Sequence, residues 1–105
     1  MVQRERCDHM ATQALARLIH HAADQGNYAQ GASWSQRLLE LDPWNEDAHR
    51  QLMWLLAAGG ERAAALRQYE TCVRMLAAEF GVEPQPATVC LAGRIRAGEG
   101  DLGAT

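Results

Sequence analysis

Shifted by 34 residues, this chain overlays on itself. Ala14 meets Ala48, Leu18 meets Leu52, Ala23 meets Ala57, Gly26 meets Gly60 and Ala29 meets Ala63. Apolar character is kept at Ile19/Met53, Ala22/Leu56, Leu38/Cys72, Leu39/Val73 and Leu41/Met75. A period of that length accommodates one helix–turn–helix unit, which cannot bury its apolar face alone, so successive units must stack. With 105 residues there is material for one small domain. The spacing predicts an all-α chain: two antiparallel helix pairs and a C-terminal capping helix.

Local signals divide the chain accordingly. Residues 1–9 are polar and expected to fray. From Met10, the positions Ala14, Leu15, Leu18, Ile19 and Ala22 follow helical spacing until Asp24-Gln25-Gly26-Asn27 supplies turn residues. A second helix carries Ala32, Trp34, Leu38, Leu39 and Leu41. Pro43 stops it, lacking an N–H and clashing with the preceding turn. Asn45 is a good N-cap for a third helix over 46–58, with Glu46 and Asp47 favoured at its positive end. Its apolar face is Ala48, Leu52, Leu55 and Leu56, and Gly59-Gly60 ends it. The fourth helix shows a stripe of Ala65, Leu66, Tyr69, Cys72, Val73, Leu76 and Phe80. Gly81 is placed as a left-handed C-cap, with Val82 folding back on Leu76 or Ala77. Pro84 and Pro86 set a short extended link into a last helix ending near Ala97, with Ala87, Cys90, Leu91 and Ile95 inward. The helical domain is thus expected over 10–97, followed by a disordered tail, 98–105.

Composition narrows the function classes. The net charge of −3 argues against a general phosphate-binding surface, although all ten basic residues are Arg. No apolar run approaches membrane-spanning length and no secretory leader is apparent, so a cytoplasmic chain is expected. Cys7, Cys72 and Cys90 are then expected to be reduced thiols, Cys72 in the core. Cys7-x-His9 and His20-His21 match no zinc spacing, so no metal is expected. There is no nucleophile elbow, Gly-rich phosphate loop or His-Glu zinc helix, so neither catalysis nor a cofactor is expected.

The 34-residue helix–turn–helix period is that of the tetratricopeptide (TPR) repeat. The string Leu39-x-Leu41-Asp42-Pro43, Glu46-x-Ala48-His49-Arg50-x-Leu52-Met53, Ala65-Leu66-Arg67-Gln68-Tyr69-Glu70 and Leu76-x-x-Glu79-Phe80-Gly81-Val82-Glu83-Pro84-x-Pro86 closely resembles the bacterial transcriptional activator domain. That is the TPR-like module of SARP-type regulators. The resemblance implies a regulatory module that binds protein and not DNA: a second copy of itself, the winged-helix DNA-binding domain of a parent activator, or RNA polymerase. A homodimer or a docked domain would cover the open ends of so short a stack. Two departures stand out. The family's last helix usually opens Pro-Ser-Pro-Glu, whereas here it is Pro84-Gln85-Pro86-Ala87, so a hydroxyl cap worth about 1 kcal/mol is missing and this helix should be the loosest. Nor is there room for the winged-helix domain of roughly a hundred residues that precedes the module in such regulators. A stand-alone adaptor that binds a peptide or helix is the alternative.

In TPR-like arrays the first helix of each pair lines the concave surface. By that resemblance Gln13, Arg17, His20, Asp24, Arg50 and Trp54 are candidate protein-binding groove residues, beside Ala57 and Ala58. Arg50 and Trp54 lie four apart and share a face, and Arg with Trp is what binding hot spots favour. The other reading is that Trp54 packs beneath the final helix or against a neighbouring side chain, since helical aromatics are usually core. Trp34 and Trp44 are expected to pack at the helix-pair junctions, and Glu46/Arg50 and Glu70/Arg74 to be solvated ion pairs.

Overall fold

The computed structural model describes residues 2–98, which form five helices and, among the described residues, no strand: α1 (Val2–Asp24), α2 (Tyr28–Leu41), α3 (Glu46–Ala58), α4 (Arg62–Phe80) and α5 (Pro86–Arg96). Consecutive helices pack on one another, and α5 lies against both α3 and α4. The chain is therefore two helix pairs and a cap. Helix α1 begins well before Met10, the start expected from the apolar spacing. Of the expected disordered tail, all but Gly98 lies outside the described residues.

The punctuation follows from local chemistry. Gly26 and Gly60 take positive φ, 72° and 87°, at the turn inside each pair. The Asn45 side chain accepts the Ala48 N–H at 3.1 Å, so the third helix starts on a side-chain cap. Gly81 is left-handed, and the Val82 N–H returns to the Leu76 carbonyl at 3.4 Å.

Helix α3 is the centre of the molecule. One side of it, Ala48, Leu52 and Leu55, packs with Ile19, Ala32 and Leu38 from the first pair. Met53 on its other side packs with Ala65, Ala92 and Ile95. Close approach of α2 to α3 depends on Gly31, where a Cβ would sit 2.9 Å from a Leu55 methyl.

Three expectations about the core need correction. In α1, Ala14 and Leu18 are exposed, because no helix among the described residues packs on that face. In α5 the buried residues are Thr88, Ala92 and Ile95, while Ala87 and Cys90 are exposed, so the inward face is rotated by about one residue. Phe80 ends its stripe exposed, its ring edge-on to Trp44.

Candidate functional site

Helices α1, α3 and α5 enclose an open groove of about 420 Å³. Its wall from α1 is Ile19, His20 and Ala23; from α3, Arg50, Gln51, Trp54 and Leu55; from α5, Ala87 and Leu91. Most of that lining is apolar. His20 and Trp54 are 34 apart and so occupy the same position in successive repeat units. The Trp54 ring is half-buried and touches both core clusters, and Tyr28 meets it edge-on with ring centres 5.6 Å apart. The ring is therefore packed against both clusters and Tyr28 and still lines the groove.

Among the groove candidates, His20, Arg50 and Trp54 line it; Gln13, Arg17 and Asp24 are exposed on α1 outside its lining. The α5 wall went unrecognised in the sequence, although Ala87 and Leu91, four apart, carry a helical-face signal. Gln51 was missed too. Its Oε1 is shielded from solvent and, among the described residues, has no hydrogen-bond partner.

Arg50 is not a free groove cation. Its guanidinium donates to Gln85 Oε1 at 3.0 Å, to Thr88 Oγ1 at 2.9 Å and to Asp47 Oδ1, and lies 3.9 Å from the Glu46 carboxylate. The Glu46 carboxylate accepts the Gln85 backbone N–H at 2.7 Å and the Thr88 hydroxyl at 2.5 Å. In a capping box, a glutamate within the first turn reaches back to the N-cap N–H. Here the glutamate comes from α3 instead. The helix expected to be loosest is thus locked to α3 by a tertiary cap. The Glu46 side chain is only 11% exposed, so this is no solvated surface pair. Glu70 and Arg74, also spaced for an ion pair, form none.

Two further groups are set by burial. The His49 ring donates from Nε2 to the Pro43 carbonyl at 3.1 Å, so neutral Nδ1 accepts from the Gln68 amide at 2.8 Å. Burial pulls the His49 pKa below its ordinary value, against the opposing pull of the Pro43 carbonyl and Glu46. Burial, with a smaller contribution from Glu46, pushes the Cys72 thiol up to about 11, so it behaves as an apolar core group. Cys90 is exposed and free. The side chains of Cys7 and His9 lie outside the described residues; among those described, no three His, Cys, Asp or Glu side chains converge as metal ligands.

The profile of the bacterial transcriptional activator domain matches residues 1–96. The chain belongs to that family. It is also 34% identical over 93 residues to Regulatory protein AfsR of Streptomyces coelicolor, an alignment covering 89% of this chain and 9% of that protein. The domain thus spans less than a tenth of the relative's length. The family match takes in the N-terminal half of α1. No helix among the described residues is long and apolar enough to cross a membrane.

Proposed function

We propose that this bacterial transcriptional activator domain works as a non-catalytic protein-interaction module of a transcriptional activator. On this reading the groove receives an apolar side chain from a protein segment, and the domain does not itself contact DNA. The segment belongs to a second copy, to a winged-helix domain of the activator or to RNA polymerase. The observation that carries the reading is Trp54: a ring held by Tyr28 and both cores yet lining an apolar groove is a preorganised hot spot. The net charge of −3 supports a protein partner over a nucleic acid.

The test is a photo-crosslinking amino acid at Ala87, an exposed groove position, in the source cell. Adducts identified by mass spectrometry as the activator itself or RNA polymerase subunits are expected, and Trp54→Ala should remove them. Because Trp54 also packs on the core, His20→Glu provides a second variant at an exposed groove position and should weaken the same adducts. Crosslinks to DNA, or protein adducts indifferent to both variants, would overturn the proposal.

A further inference from the structure

Away from the groove, four large apolar side chains stay exposed where α2 and α4 end. They are Leu41, Trp44, Phe80 and Val82, between 41% and 55% exposed. Their positions are fixed by the fold: Pro43 stops α2, Asn45 starts α3, and the left-handed Gly81 turns the chain back after α4. Trp44 and Phe80 come together edge-on, with ring centres 6.2 Å apart. None of the four lines the groove.

The charges next to these residues in the chain are mostly acidic, with Arg37, one turn before Leu41, the cation nearest to them in α2. Glu40 and Asp42 flank Leu41, Glu79 precedes Phe80 and Glu83 follows Val82. Among the described residues, none of these four carboxylates forms an ion pair. The next cations back along α2 and α4 are Arg37 and Arg74. An apolar patch with an acidic rim suits a partner that brings cations around an apolar anchor. The ring faces add to this, since Trp and Phe attract Lys and Arg through their quadrupoles. A second copy docked two-fold on this patch would set acidic rim against acidic rim, which disfavours it.

We propose that the Leu41–Trp44–Phe80–Val82 patch docks a basic amphipathic segment of a protein partner. An apolar side chain of that segment packs on the Trp44–Phe80 pair, while its Lys or Arg side chains meet Glu40, Asp42, Glu79 and Glu83. The surface is separate from the groove and does not depend on the groove's proposed role.

The test uses two synthetic amphipathic helical peptides of identical apolar pattern, one with Lys and one with Glu at the flanking positions, titrated into the isotope-labelled chain. The Lys peptide should shift the Trp44 indole resonance and leave that of Trp54 in place, with an affinity that falls as salt is added. Trp44→Ser with Phe80→Ser should abolish the effect. Glu40→Gln, Glu79→Gln and Glu83→Gln together, all at exposed positions, should weaken it roughly tenfold. Equal binding of the Glu peptide, shifts at Trp54 instead of Trp44, no binding of the Lys peptide, or concentration-dependent pairing of the chain through Trp44 would each overturn the proposal.

Discussion

The two helix pairs share one sequence pattern and live in different surroundings. In the second pair, Ala48 and Leu52 are each 1% exposed; their counterparts one repeat earlier, Ala14 and Leu18, face solvent, Leu18 at 41%. Helix α3 is covered on one side by the first pair and on the other by α4 and α5, whereas, among the described residues, α1 has a neighbour only on the side facing the array. The polar residues differ to match. Where α3 carries Glu46, His49 and Arg50, α1 carries Thr12, Leu15 and Ala16. Among the described residues, only the second pair has a docked helix for its half-buried carboxylate and guanidinium to hold. A repeat therefore specifies the helix pair, while the neighbouring unit decides what each position is worth.

The largest expected effect tests that statement directly. Leu52→Ala should cost about 3 kcal/mol, because it empties a filled site between two packed layers. Leu18→Ala, the same substitution at the equivalent repeat position, should cost under about 1 kcal/mol. Urea denaturation of both variants measures the difference. Equal losses would mean that the α1 face is covered in solution.

A smaller effect is expected at the lock between α3 and α5. Glu46→Ala removes the acceptor for both the Gln85 N–H and the Thr88 hydroxyl, which should cost about 2 kcal/mol. The loss should be local: amide exchange should quicken in α5 first, with α1 and α2 still protected. Glu46→Gln keeps an oxygen acceptor and should fall between the two. Uniform acceleration throughout the chain would show that α5 has no separate stability.

That lock also marks where sequence reasoning stops. The bounds of α3, its Asn45 cap and the glycine turns were legible because their causes lie within a few residues. So was the family, carried by residues such as Leu41-Asp42-Pro43 and Phe80-Gly81-Val82. The inward face of α5 was not: Thr88 turns inward because its hydroxyl meets a carboxylate 42 positions away. Helical spacing identified the Phe80 side of α4, but spacing cannot say whether anything covers it. In the groove, repeat logic led to His20 and Trp54, while Gln51 and the α5 wall required knowing where the cap docks. It also brought in Gln13 and Arg17, which share an α1 face but lie on earlier turns of the helix, outside the groove lining.

The smallest effect concerns His49, whose counterpart in the first pair is Leu15. Its folded pKa lies below the ordinary value of 6.5 because burial disfavours the charged ring. Between that folded value and 6.5 the unfolded chain binds more protons than the folded one, so stability rises with pH across this window. Acidification below about 6.5 therefore removes stability, and above it the ring stays neutral in both states. Protonation would also put a proton on Nδ1, facing the Gln68 amide that now donates to it. The check is urea denaturation of the wild type and His49→Gln from neutral to mildly acidic pH. The wild type's stability relative to the variant should shrink as pH falls through the window. The exposed His20 and His21 are common to both proteins and cancel in that difference. Parallel curves would show that His49 takes up its proton without disturbing the fold, and that the second pair's buried polar residues are more tolerant than their hydrogen bonds suggest.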